Sequence, residues 1–208
     1  MSWLIVALIG YGIGCLHGSH LVGSFKRINL KETGVKNAGA SNATIVLGWK
    51  YGLIVAFIDV FKGTISLIIV HLLVGSTVSI SILLALLYVN ALFVIIGHNF
   101  PMQMRFRGGK GTASLAGVTL AIDWRIALIS IGLLFVITYF SDYLIIGVSV
   151  MYASFTATTI LFDMGWIPVV ITIILWSISS WKHIENFQRL RNGNETTLSS
   201  LLHKKKAV

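Results

Sequence analysis

The 208-residue chain is 56% hydrophobic, only 11% of its residues are charged, and its mean hydropathy is +0.86. A soluble domain needs more surface charge than this. A chain of this length also forms too small a core to bury so much apolar surface, so the composition excludes a soluble domain. The net charge of +9 could indicate nucleic-acid binding, but the lysines and arginines lie in short spacers between apolar runs, which indicates membrane topology and argues against nucleic acid as a partner.

Seven apolar runs predict seven transmembrane helices. They cover roughly residues 3–24, 51–74, 78–97, 113–122, 126–140, 143–162 and 166–181. A spanning helix needs about 20 mostly apolar residues, so the run at 113–122 is too short to cross without help from its neighbours or a thinned bilayer. A re-entrant half-helix is the alternative for that run. No basic segment precedes the first run, which favours a retained helix over a cleaved signal peptide.

The distribution of lysine and arginine predicts the orientation. Five lie in 26–50, three in 99–112 and six after residue 181, whereas the turns at 75–77 and 163–165 have none. The positive-inside rule places the three basic segments in the cytosol. An even number of crossings must then separate 99–112 from the tail, so all four later runs cross. We therefore expect an all-α bundle of seven spans with the N-terminus out and the C-terminus in, forming one integral-membrane domain over 1–208.

The loop at 97–112 carries the clearest chemical signal. Gly108, Gly109 and Gly111 surround Lys110, and an apolar run begins directly after them. Glycines let backbone N–H groups approach an anion, and a helix N-terminus adds its positive end. The spacing is not that of a Walker A motif. The pattern predicts a phosphate site, with a flexible loop carrying topological charges as the alternative.

A second loop, 29–42, is rich in small and amide side chains such as Asn37 and Asn42. Such side chains can bond phosphate oxygens or hydroxyls, and they can equally bond their own backbone in turns. By itself, this stretch fits a turn-rich connector as well as a binding loop.

The segment 183–195 follows the last apolar run. His183 and Asn186 lie three residues apart and would share a helical face, with Arg189 one turn further on. These three side chains could face a common pocket. An interfacial amphipathic tail is the equally good alternative.

A few polar residues fall inside the apolar runs. Asp59 and Lys62 lie three apart, and charges at membrane depth usually face the bundle interior, so this pair is expected to neutralise itself. His17 and His71 are expected to pack without a functional role, and Cys15 to be a small buried hydrophobe.

Together these stretches resemble the bacterial acyl-phosphate-dependent glycerol-3-phosphate acyltransferase family over nearly the whole chain. The matching residues are Gly97-His98, Pro101 and Phe106 to Gly111 with Arg107 in place of a lysine; His183, Asn186, Arg189, Leu190, Gly193 and Glu195; and Asp59, Lys62 and Gly63. Ser141 occupies the place of a loop serine in that family.

The first loop departs from the family pattern. Four residues of this chain replace those of the family pattern: Asn29 replaces an aspartate, Lys31 an arginine, Val35 a serine and Lys36 a glycine. Lysine keeps the charge but loses the bidentate fork of arginine, and valine removes a hydroxyl ligand. A divergent relative acting on another polyol phosphate, or a membrane protein that binds or transports lipid without catalysis, is therefore an alternative.

The resemblance implies a membrane enzyme that transfers an acyl group from acyl phosphate to glycerol 3-phosphate in phospholipid synthesis. Its partners would be these two substrates and membrane lipid, it would need no cofactor or metal, and it would sit as a monomer in the bacterial cell membrane with a cytosolic active site. Lys110 and His183 would be catalytic, with Gly108, Gly109 and Lys110 holding the acyl phosphate. The residues that would bind glycerol 3-phosphate are Lys31, Asn37, Ser141, His183 and Asn186, and Asn42 and Glu195 complete the expected binding residues. A substrate phosphate oxygen is the alternative to His183 as the base.

Overall fold

The computed structural model describes residues 3–203, and every regular element among them is helical. The helices are α1 Trp3–Gly14, α2 Gly18–Lys26, α3 Ala40–Leu47, α4 Trp49–Val74, α5 Ile80–Asn99, α6 Thr112–Ile122, α7 Trp124–Ser141, α8 Leu144–Leu161, α9 Trp166–Lys182, α10 Ile184–Arg191 and α11 Leu198–His203, with one 3₁₀ turn at Met102–Met104. The all-α prediction is confirmed for this part of the chain. Lys204, Lys205 and Lys206, which the orientation argument counts, lie outside the described residues.

Apolar length supports a multi-pass membrane protein. Five helical segments are long and apolar enough to cross a bilayer: Trp3–Lys26, Trp49–Val74, Ile80–Met104, Trp124–Ser141 and Leu144–Leu161. The pair Trp166–Lys182 and Ile184–Arg191, bent by 53°, makes a sixth if it counts as one span. Helix α6 has 11 residues and is about 16 Å long, well short of a bilayer core of about 30 Å. Seven spans are therefore not confirmed.

The chain divides after Asp123 into two compact units, helices α1–α6 and helices α7–α11. In the first unit α6 packs closely on α4, where Gly63 and Gly117 let the two backbones touch. A Cβ on Gly117 would collide with the carbonyl of Val60, and one on Gly63 would lie 2.5 Å from the carbonyl of Ser114. Small residues at helix crossings are the usual means of close packing in membranes. In the second unit, Gly147 on α8 plays the same part against Leu134 of α7.

The first apolar run is not one continuous helix, which corrects the prediction of a single helix over 3–24. The helix breaks between Gly14 and Gly18. Lys62 donates to the carbonyls of Gly14 and Leu16 at 3.0 and 2.6 Å, and the N–H of Gly18 donates to Asp59 at 3.2 Å. Broken helices persist at membrane depth only where other groups satisfy the freed backbone. Asp59 and Lys62 therefore do more than neutralise each other, because they close the break.

Candidate active site

A buried ionic cluster lies under the glycine-rich loop in the first unit. Lys62 Nζ lies 3.1 Å from Asp59 Oδ1 and 2.8 Å from His98 Nδ1, and all three side chains are buried. Ser114 Oγ lies 3.3 Å from the same His98 nitrogen, and Asp59 Oδ1 lies 3.7 Å from it. A catalytic triad needs the serine and the carboxylate on opposite ring nitrogens. The cluster is therefore a scaffold for the loop rather than a nucleophile and its base.

His17 connects the helix break to the glycine-rich loop. Its ring stacks on His98 at 4.3 Å between centroids. The N–H of Gly109 donates to His17 Nε2 at 3.2 Å, and Ser19 Oγ lies 3.0 Å from Nδ1. His17 is a buried, hydrogen-bonded packing histidine, as predicted, and the structure adds that its ring contacts the backbone of the loop. A histidine within an apolar run carries no local signal of such a distant partner.

Gly108 and Gly109 pack so closely against the end of α5 and the turn after it that a side chain would not fit at either position. Their N–H groups donate to the carbonyls of Asn99 and His98, each at 3.1 Å. A Cβ on Gly108 would lie 2.5 Å from Pro101 Cδ, and one on Gly109 would lie 2.7 Å from the Ala38 carbonyl and closer still to the His98 ring. The loop therefore packs its backbone directly against three other segments, which explains why both residues lack side chains.

Lys110 and Gly111 lead into α6. Lys110 is half-buried, and Gly111 has a φ of 85°, a left-handed conformation that favours glycine. Helix α6 begins at the next residue, Thr112, so its first N–H groups adjoin the lysine. An ammonium beside a helix N-terminus suits a phosphate or a developing oxyanion.

Asn99 is a further residue of this loop that the sequence reasoning did not single out. Its side chain is fully buried, and neither of its polar atoms has a hydrogen-bond partner. Leaving a buried amide unsatisfied costs about 1–3 kcal/mol. Such exceptions are rare in folded proteins, and Ser130, Thr138 and Tyr152 are further examples among the described residues.

The first loop is organised around Asn42. The two N–H groups of the buried amide nitrogen are shared among the carbonyls of Leu30, Thr33 and Asn37, at 2.7, 3.0 and 2.9 Å, and the amide oxygen accepts from the N–H of Val35 at 2.9 Å. Both polar atoms are therefore engaged with the loop backbone. These contacts make Asn42 a positioning residue, and its predicted substrate contact stays a prediction.

Replacing Asn42 by alanine is expected to loosen the whole loop from residue 30 to residue 37, because three carbonyls and one N–H lose their partner. A loss of about 2–3 kcal/mol in the free energy of unfolding should accompany it. Thermal unfolding in detergent measures this effect, with the exposed Asn194→Ala as control. Unchanged stability combined with a raised KM would instead make Asn42 a substrate ligand.

A cavity of about 670 Å³ opens where the first loop meets the glycine-rich loop. Four cationic side chains, Arg27, Lys31, Arg105 and Arg107, line it together with one carboxylate, Glu32. The structure thus brings the predicted residue Lys31 together with the arginines of the second loop. Lys110, Asn37 and the two glycines are not among the residues that line this cavity. Its excess of positive charge suits phosphate groups.

In the second unit, Ser141 ends α7. Its Oγ donates to the carbonyl of Ile137 at 2.6 Å, and the N–H of Tyr143 donates to it at 3.3 Å. The hydroxyl thus stabilises the turn between α7 and α8. The following residue, Asp142, has a φ of 63°.

The other predicted residues of the second unit gather at the junction of α9 and α10. His183 is buried, and its Nδ1 lies 2.8 Å from the carbonyl oxygen of Ser179. Asn186 Nδ2 donates to Glu195, which also accepts from Arg189 Nε at 2.7 Å. Asn186 and Arg189 share a face of α10, where both bond Glu195. His183 lies before the first residue of α10 and its ring faces Ser179 of α9, so the shared face of all three side chains stays a prediction.

His17, Asp59 and His98 are the described side chains that could hold a metal ion, since their ligand atoms lie within 4.8 Å of one another. Lys62 Nζ already contacts two of them, Asp59 and His98. An ammonium in that position competes directly with a cation. The donor set therefore fits the lysine better than a metal.

Comparison with known proteins agrees with these features. The family model Glycerol-3-phosphate acyltransferase matches residues 4–193. The chain is 52% identical to Glycerol-3-phosphate acyltransferase 1 of Oceanobacillus iheyensis, with 99% of each chain covered. It is 30% identical to the Glycerol-3-phosphate acyltransferase of Thermoanaerobacter pseudethanolicus, covering 95% of this chain and 96% of the relative.

Solved structures extend the likeness to three dimensions. Crystal structures of PlsY, an integral membrane glycerol 3-phosphate acyltransferase, match in a glycerol 3-phosphate form (TM-score 0.87, 27% identity, 97% of this chain and 98% of that chain) and in a lysophosphatidic acid form (TM-score 0.84, 26% identity, 97% of each). With apolar helices, phosphate-suited loops and whole-length relatives in agreement, the chain belongs to the glycerol-3-phosphate acyltransferase family and is a membrane enzyme of that activity.

Proposed function

We propose that the acyl donor is an acyl phosphate and that the products are 1-acyl-glycerol 3-phosphate and inorganic phosphate. The observation that supports this most directly is the cavity that Lys31, Arg105 and Arg107 line together. A donor and an acceptor that both carry phosphate need several cations close together, and charge-assisted bonds to phosphate are the strong ones. The long helices expose apolar side chains, as expected of surfaces that face lipid. An acyl chain that lies against these surfaces can stay in the bilayer during the reaction.

In this proposal Lys110 holds the acyl-phosphate group and stabilises the negative charge of the tetrahedral intermediate. Gly108 and Gly109, whose N–H groups bond the carbonyls of Asn99 and His98, fix the loop backbone that carries this lysine. The residues that position glycerol 3-phosphate are Lys31, Asn37, Ser141, His183 and Asn186. Attack by the glycerol hydroxyl on the acyl carbon forms the ester bond, and the bond to phosphate breaks as phosphate leaves. Because the acyl group is already activated, positioning supplies much of the acceleration.

The environment of His183 supports its role as the base. The carbonyl of Ser179 can only accept a hydrogen bond, so the Nδ1 that faces it at 2.8 Å carries the ring proton. Nε2 is then the nitrogen able to take a proton from the glycerol hydroxyl. A phosphate oxygen of the substrate is the competing base.

We also propose seven spans in one integral-membrane domain, with the N-terminus out, the C-terminus in and the site at the cytosolic face of a bacterial cell membrane. The distribution of lysine and arginine supports this orientation. Residues of the basic segments 26–50 and 99–112 also line one cavity, as expected for segments on the same side. Helix α6 would be the short crossing, and its backbone packs closely on α4 at Gly117 and Gly63. The monomeric state stays a prediction.

The donor and the site are tested together with purified protein. Acyl phosphate, but not acyl-coenzyme A, should acylate glycerol 3-phosphate and release one phosphate per product. Lys110→Ala should lower kcat/KM by about 10²–10³-fold, because it removes a donor aimed at developing charge. Lys50→Ala, at an exposed position on α4, is the matched control.

Three outcomes would contradict the proposal. Transfer from acyl-coenzyme A alone would overturn the donor. Equal transfer to other polyol phosphates would favour a divergent acceptor, the alternative raised by the altered first loop. Full activity of Lys110→Ala would overturn the site assignment.

A further inference from the structure

The described end of the chain folds back onto the turn between α7 and α8. The N–H of Leu198 donates to the carbonyl of Asp142 at 2.8 Å. The N–H of Ser199 donates to Asp142 Oδ1 at 2.7 Å, and the Ser199 hydroxyl donates to Oδ2. Three hydrogen bonds thus join one residue of the turn to two consecutive residues of the tail.

The same segment is anchored at its other end. Glu195 accepts from Asn186 and from Arg189, and its side chain is only 10% exposed. Residues 195–199 therefore form a strap, which we define by its two anchors at Glu195 and Ser199. Glu195 is anchored to α10, the helix that begins directly after His183. Ser199 is anchored to Asp142, the residue directly after Ser141.

The strap extends past the part of the chain that the family model matches, which ends at residue 193. Its outer anchor uses Asp142, whose φ of 63° is a conformation that aspartate adopts less readily than glycine does. Three bonds to the tail offset the cost of that conformation. The hydrogen bonds from Ser199 also hold the pKa of the Asp142 carboxyl below its ordinary value, so the carboxylate is ionised and the anchor is made at neutral pH.

We propose that Asp142 and Ser199 are positioning residues for glycerol 3-phosphate, because the strap fixes the turn that carries Ser141 relative to the helix that carries Asn186. This inference rests on the proposed roles of Ser141 and Asn186. Positional errors of about 1 Å at groups that hold a substrate can cost about 10²-fold in rate. Loss of one exposed anchor loosens the turn without unfolding the bundle.

The test separates binding of the two substrates. Ser199→Ala and Asp142→Ala should raise the KM for glycerol 3-phosphate about three- to tenfold while leaving the KM for the acyl donor unchanged. Ser200→Ala is the matched control, because its hydroxyl bonds Thr197 within the strap and does not touch Asp142. Asp142→Asn should recover most of the affinity, since its side-chain oxygen still accepts from the N–H of Ser199. A chain ending at Thr196 should behave like Asp142→Ala.

Two results would overturn the inference. One is an unchanged KM for glycerol 3-phosphate in Ser199→Ala, Asp142→Ala and the shortened chain. The other is an equal rise in both KM values, which would indicate general loosening. Ser141→Ala, measured in parallel, separates this failure from that of the site assignment. A raised KM in Ser141→Ala with no effect of the strap variants rejects the strap alone, and no effect of Ser141→Ala rejects the site assignment and the strap with it.

Discussion

Replacing Gly109 by alanine should lower acyl transfer by about 10²-fold or more, one of the two largest effects expected in this protein. A Cβ at this position would lie 2.7 Å from the carbonyl of Ala38 and would collide with the ring of His98. Neither neighbour can move easily, because Ala38 and His98 are buried and His98 also contacts Lys62. The loop itself must shift, and the backbone N–H groups before Lys110 shift with it.

Steady-state kinetics and thermal unfolding of the same variant separate the site from the scaffold. Overpacking of this kind should cost about 1–3 kcal/mol of stability, which leaves the protein folded. Gly12→Ala is the matched control, since a Cβ there would meet nothing within 4 Å. If Gly109→Ala kept more than half of the parental kcat/KM, the tight packing of this loop would be irrelevant to catalysis.

Lys62→Met should lower the free energy of unfolding by about 3–5 kcal/mol, because it leaves the buried Asp59 carboxylate without its cation. The same change strips the hydrogen bonds from the Gly14 and Leu16 carbonyls at the break between α1 and α2. Both consequences occur at membrane depth, where few other partners exist.

The measurement is the thermal midpoint in detergent, compared with that of Lys50→Met. Lys50 lies on the same helix but is exposed, so its loss should change stability by less than about 0.5 kcal/mol. A Lys62→Met protein as stable as Lys50→Met would show that neither the ion pair nor the capping of the helix break matters to folding. The second-site change Asp59→Asn should recover part of the loss, because it removes the unpaired charge.

The positions of most long helices can be predicted from the hydrophobic pattern of the sequence. The runs at 51–74, 78–97, 126–140, 143–162 and 166–181 correspond to α4, α5, α7, α8 and α9 within a few residues. Lipid allows few structures besides apolar helices, so continuous apolar length is a nearly sufficient signal. The same reasoning missed α3, whose eight residues lie in a stretch that reads as a polar connector.

The candidate site likewise has some features that the sequence predicts and others that only the structure shows. The glycine-rich loop and the His183 segment are local patterns, and their residue types and spacing already indicated phosphate chemistry. The charge distribution likewise predicts which segments share a side of the membrane, and that orientation stays a prediction.

The tertiary structure alone decided how those local patterns are held. The helix break at Cys15 to His17, the contact of His17 with Gly109, the backbone contacts of Asn42 and the strap from Glu195 to Ser199 all depend on partners distant in the sequence or on a chain reversal. A buried polar group at membrane depth must find a hydrogen-bond partner, and the sequence shows that the need exists. It does not show which distant group meets that need, because helix packing determines which groups come together.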